Sequence, residues 1–234
     1  MKIIYIGLKD YNDKLGIANF YCVENQATKS DSTIDFDEYC KLRDGNNHFY
    51  IFKNCSRKWM NMEDEERGSS GINILWPDTS NKFFKDELEK VKKGESPNNI
   101  SPIITYSLKN GITAMWMGDL ETNYLNNVKD NINFSKIDIL FAPHHGRESG
   151  KVPEDILEKL NPKIIIIGEA PSENINYYSK YNTLTQNSAK NIIFRCEEGQ
   201  VHIYVSSENY SVDFLDNENK SDFDGHKYLG TLNL

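Results

Sequence analysis

The sequence predicts a mixed α/β fold. Apolar runs of strand length, such as "KIIIIGEA" and "KIDILFAP", recur along the second half of the chain. Stretches with helical apolar spacing separate them. A hairpin signal sits at Asn110-Gly111. Strands alternating with helices imply sheets whose faces are covered by helices. With 234 residues, the chain can bury a real core as one domain or one and a half.

Each element follows from its local pattern. Residues 1–71 carry short strand-like runs, "KIIYIG", "IANFYCV" and "HFYIF", and form a poorly defined first part of the domain. "MNMEDEERGSSG" is polar and Gly/Ser-rich, so a loop belongs there. "INILWP" is a strand stopped by Pro77. "NKFFKDELEKVKK" puts Phe84, Leu88 and Val91 on one helical face, with Gly94 as its stop. In "SPIITYSLKNGITAMWMGD" two β-rich runs flank Asn110-Gly111, the pair favoured in a two-residue type I′ turn. "ETNYLNNVKD" is a short helix and "KIDILFAP" a buried strand. "VPEDILEKLNP" is a helix with Pro153 in its first turn and Pro162 after its end. "KIIIIGEA" is apolar enough to be covered on both faces. "NSAKNIIFRC" runs from helix into strand, and "GQVHIYVS" and "YSVDFL" close residues 72–215 as an antiparallel pair. Residues 216–234 form an acidic, polar tail, expected to be loosely held up to about Lys227.

Composition narrows the function. Asp and Glu outnumber Lys and Arg by 35 to 27, a net charge of -8, which argues against a broad nucleic-acid-binding surface. A nuclease stays possible, because a metal ion can supply positive charge locally. Cys22, Cys40, Cys55 and Cys196 form no C-x-x-C pair, so a thiolate zinc site or redox motif is not expected. Neither a secretory signal nor a membrane span is expected, and the reading is a reducing, cytoplasmic protein.

Three residues stand out. Asp119 follows Gly118 where the hairpin's second strand ends, and His144-His145 end the next strand, with Gly146 after them. Asp119 alone could cap a helix beginning near Glu121, and the two histidines alone could be loop residues bonded to backbone. Together, at successive strand ends, they suit metal-assisted hydrolysis, because a sheet fixes the backbone while side chains reach into a cleft. Glu121 and Glu148 lie near this presumed cleft. His48 and His202 read as strand histidines and His226 as a tail residue. Tyr177, Tyr178 and Tyr181 could stack on a base or pack as a surface loop.

Order and spacing over residues 72–206 resemble the C-terminal half of a metallo-β-lactamase-fold hydrolase. The similar branch is the hydrolase domain of the DNA-uptake protein ComEC and its soluble relatives. "INILWP", "NNISPIITYSLKNGITAMWMGDLE", "IDILFAPHHG" and "LNPKIIIIG" carry the resemblance. It implies a metallo-β-lactamase-like αβ/βα sandwich, incomplete or degenerate in its first half. It implies zinc or manganese in a two-metal site and phosphodiesterase or nuclease-like hydrolysis. Asp119 would bridge the ions, His145 would ligate the second ion, and His144 would face substrate or act from behind the ligands. The family's upstream His-x-His-x-Asp-His motif has no counterpart, since His48 is the only upstream histidine. Arg147 stands where Ser is usual, and an Asn-x-Tyr-x-His-Pro segment is missing.

Three readings follow: a hydrolase whose missing ligands lie on another segment or subunit, an inactive scaffold or interaction subunit of the same fold, or a misleading resemblance. An unfinished first half would leave apolar sheet uncovered. That implies a second polypeptide or a second copy as partner, with nucleic acid as a possible substrate and no membrane.

Overall fold

The computed structural model describes residues 7–58, 60–63, 68–170 and 176–234. Its largest element is a six-stranded sheet in the order β3(Ile72–Trp76), β4(Ile103–Ser107), β5(Thr113–Trp116), β6(Ile139–Phe141), β7(Ile164–Ile167), β8(Thr183–Thr185). The first three strands pair antiparallel and the last four parallel. A three-stranded sheet runs β11(Lys227–Asn233), β10(Gln200–Val205), β9(Ile192–Glu197), antiparallel throughout. The class is therefore mixed α/β, of the α+β kind.

Strand alternation places the core. In β7, Ile165 and Ile167 face one apolar cluster, while Ile164 and Ile166 face a second. The first cluster joins the sheet to α3(Lys82–Lys92), α4(Thr122–Val128) and α5(Glu154–Leu160) through Phe84, Leu125 and Ile156. The second lies between the two sheets, with Val201 and Ile203 of β10 opposite Ala114 and Ile139. All four isoleucines of β7 are buried. The strand expected to need outside cover is thus covered on both faces by its own chain.

The hairpin pairs as its sequence implies, Ser107 with Thr113 and Ile104 with Trp116. Its turn is different. The amide of Gly111 bonds the carbonyl of Leu108 (2.9 Å). Only Asn110, not Gly111, takes a positive φ (56°). A type I′ turn needs positive φ at both central residues, so the loop is longer than the Asn-Gly pair suggests.

The first part of the chain is better organised than its sequence suggests. α1(Leu8–Leu15) and α2(Ile34–Asp44) flank β1(Phe20–Cys22), which pairs in parallel with β2(His48–Tyr50). The "KIIYIG" run lies almost wholly outside the described residues, as does part of the loop expected around residues 60–71. Thr33 caps α2 by accepting from the Phe36 amide (3.2 Å). The carboxylate of Asp35 accepts from the amides of Gly7 and Lys9, which ties α1 to α2. Beyond β2, the amides of Lys53 and Asn54 bond the carbonyls of Pro77 and Ile74 (2.7 and 3.0 Å). The Ile72 amide bonds Met60. The edge of β3 is therefore occupied by the chain's own residues.

Two expectations for the chain's end are corrected. "YSVDFL" is no strand; β10 pairs with β9 and β11 instead. The tail is not polar coil to its end, because 227–233 forms β11, while residues 216–225 before it are exposed and reach the outer face of β10 through Phe223. Phe223 packs on Tyr204 (5.6 Å) beneath Arg195 (5.0 Å), and Asn233 donates to Asp216 (2.6 Å). β10 carries Tyr204 and His202 on that face, which needs cover as much as the apolar one.

Candidate functional site

β5 and β6 run parallel and end side by side, and their C-terminal ends carry Asp119 and the histidine pair. A crevice at such strand ends is where ligands of open α/β sheets bind. The two segments are joined directly: the His144 amide bonds the Gly118 carbonyl (2.9 Å).

Asp119 is held from the side by the segment before β4. Its amide donates to Ser101 Oγ (3.1 Å), and the Glu121 amide donates to Asn99 Oδ1 (3.1 Å). Asn98 Nδ2 donates to Glu121 Oε1 (3.1 Å). Glu121 is thus a brace for the corner. Gly118 has φ 55°, and a Cβ there would stand 2.5 Å from Ser101 Cβ, so only glycine permits this approach. α4 is capped at Glu121 and starts at Thr122, and Asp119 forms no side-chain cap. The capping alternative for Asp119 therefore does not describe it.

The histidine pair is not the end of a regular strand. His144 (φ 50°, ψ 42°) and His145 (φ 59°, ψ 16°) are both left-handed. Each such non-glycine residue costs about 1–3 kcal/mol. The reversal separates the two rings. His144 is turned inward and buried, with Nδ1 at 2.9 Å from Ser149 Oγ. Burial pushes its pKa below the ordinary imidazole value; Arg147 and His145 add to the effect, while Asp119 and Glu121 oppose it. His145 instead lines a cleft of about 380 Å³ with Asp119. Gly168 lies beneath it, where a Cβ would be 3.0 Å from His145 Nδ1.

One wall of that cleft is aromatic. Trp116, 37% exposed, stacks on Phe141 (4.5 Å between ring centres, 12°), and Phe141 meets Phe194 edge-on. On its other side Asp119 borders a second cleft, about 460 Å³, formed with the β1–α2 loop and the segment around Pro97–Pro102. That loop is filled with amides and a guanidinium. Asn25 Nδ2 donates to the Val23 carbonyl and Tyr39 Oη, and Arg43 donates to Asn25 Oδ1 and the Ala27 carbonyl.

Other predicted residues lie elsewhere. His48 bonds the Gly45 carbonyl at the end of α2, His202 bonds Thr231 (2.8 Å) within the small sheet, and His226 bonds a neighbouring carbonyl. Tyr178 is buried, its hydroxyl accepting from the Val152 amide, so it cannot stack on a base. Glu148 is exposed. All four cysteines are free, and burial raises Cys22 to about 11, far from a reactive thiolate. Sequence reasoning missed the bracing roles of Asn98, Asn99 and Ser101, although their motif was visible. Nothing in the sequence marks Gln186, which also lines the cleft.

The donor types here, a carboxylate and an imidazole, suit zinc or manganese. Their number does not complete a site. Among the described residues, no three His, Cys, Asp or Glu side chains converge as a metal-holding group. Among the same residues, no helix is long and apolar enough to cross a membrane. The sequence matches no protein-family model, and no curated protein matches it.

Proposed function

We propose that this chain is part of a metal-dependent hydrolase of metallo-β-lactamase fold that acts on phosphodiesters, with nucleic acid or nucleotides as the substrate class. One observation carries the reading: Asp119, His145 and the Trp116–Phe141 aromatic pair line a single cleft at the ends of parallel strands. An aromatic face suits a base, and the two polar groups suit the reacting end of such a ligand.

In this reading Asp119 would be the bridging carboxylate and His145 a ligand of the second ion. A metal in such a shell polarises the phosphoryl oxygens and lowers the pKa of bound water. The chain's own groups do the rest. Ser101 and Asn99 fix the Asp119 corner through backbone amides. His144, kept neutral by burial, braces the turn that presents His145. Trp116 and Phe141 orient a planar group and exclude water. The remaining ligands come from another segment or subunit. Asp119's second cleft and the exposed Tyr21 and Trp116, which flank an apolar groove of about 480 Å³, support an assembly on that side.

The test is turnover of bis(p-nitrophenyl) phosphate with added manganese or zinc. The isolated chain should be slow, and its residual rate should fall at least tenfold in both Asp119→Asn and His145→Asn. A rate indifferent to both substitutions rejects the site. A second reading, an inactive scaffold, is favoured by the missing third ligand. It predicts no Asp119-dependent turnover under any metal.

A further inference from the structure

Beside the cleft, and sharing Gln186 with it, lies an open polar groove of about 620 Å³. Arg147, Glu169, Asn187 and Lys190 also line it. Arg147 follows the histidine pair one residue on, after Gly146, and its groove shares Gln186 with the cleft that His145 lines, so it stands close to the candidate site. Arg147 and Lys190 are both exposed, and among the described residues neither side chain forms an ion pair or hydrogen bond. On a chain of net charge -8, two uncommitted cations facing one groove next to the candidate site call for a ligand of opposite sign.

The groove is also built, not merely open. Asn187 clamps the loop after β7 from both sides: its Oδ1 accepts from the Ala170 amide (3.2 Å), and its Nδ2 donates to the Ala170 carbonyl (2.6 Å). The same loop carries Gly168 beneath His145, so the groove floor and the His145 ring are positioned together. Lys190 ends α6(Gln186–Ala189) with φ 62° and ψ -122°, a conformation that strains any residue with a Cβ. A strained backbone that presents a free cation at a groove is a feature that stability alone does not ask for.

We infer that Arg147 and Lys190 form the seat for a phosphodiester group of the substrate next to the one cleaved, and so act as specificity-determining residues. Among the described lining residues, two cations and the Glu169 carboxylate sum to +1, which matches the single charge of a diester better than the near-double charge of a terminal phosphate. Arg147 supplies a planar fork for two phosphate oxygens, and Lys190 a point charge. This inference rests on the hydrolase reading for its neighbour, the cleaved bond.

The test is binding of the dinucleotide thymidylyl-thymidine to the full chain, titrated with a chelator present so that only the protein's groups contribute. Wild type should bind saturably, and thymidine, which has no phosphate, should not. Arg147→Gln and Lys190→Gly should each weaken binding at least fivefold and lower the salt slope by roughly 0.7 per lost cation. Lys190→Gly removes the strain as well as the charge, so its fold is kept. Lys190→Arg should retain affinity, and Lys109→Gln on the hairpin should match wild type. Binding indifferent to Arg147 and Lys190, equal binding of thymidine, or no binding at millimolar dinucleotide overturns the seat. Turnover that still depends on Asp119 would then leave the hydrolase reading standing.

Discussion

Two loops flank Asp119, and they are made differently. The loop after β6 spends backbone strain to present His145 to a cleft while burying His144. The loop after β1 is relaxed and self-satisfied, its acceptors taken by Asn25 and by the buried Arg43. One loop leaves an imidazole free at a cleft. The other lines its cleft with Val23, Asn25 and Ala27, none of them titratable, and the Arg43 guanidinium that holds it is paired with Asp44. Chemistry at Asp119 is therefore one-sided in this chain.

The largest expected effect concerns the framework both loops hang on. Ile165→Ala, deep between sheet and helices, should cost roughly 2–5 kcal/mol in urea unfolding. A loss under 1 kcal/mol would mean that the two-faced packing of β7 is wrong.

Arg43→Leu sharpens the contrast between the loops. It strips hydrogen bonds from Asn25 and the Ala27 carbonyl, a cost of about 1–3 kcal/mol. Hydrogen exchange should quicken in residues 23–28 and stay unchanged in β5 and β6. Equal quickening in both regions would show that the loops are not independent.

How much of this the sequence disclosed depends on range. β4, β5 and β7 were readable because their apolar residues sit in short runs with clear stops. α3 was readable because Phe84 and Val91 keep a helical period. α2 was not, since Ile34 is 71% exposed and Arg43, a charged residue, is buried, which breaks the pattern. The cover that residues 216–226 give to β10 was hidden because their composition is polar, while their anchors are single residues such as Phe223. Asp119 and the histidine pair were visible as residue types at strand ends. The left-handed turn that separates the two rings was not, because outside glycine the residue type does not fix φ above zero. Lys190 was invisible for the same reason.

A smaller effect is expected from pH. His144 has a depressed pKa, so between its folded value and about 6.5 the unfolded chain binds more protons than the folded one. Stability should therefore fall as pH drops below about 6.5. His144→Asn should flatten that part of the profile of urea midpoint against pH. An identical profile in the variant would mean that His144 is not the buried neutral imidazole described here.

Manganese titration followed by NMR tests the asymmetry most directly, because the paramagnetic ion broadens only nearby amides. The expected result is weak, saturable broadening of residues 118–120, 145–147 and 168, absent in Asp119→Asn, with residues 23–28 less affected. Broadening confined to the acidic stretch 216–224, or tight binding that survives dialysis, would contradict a half-built metal site at Asp119 and His145.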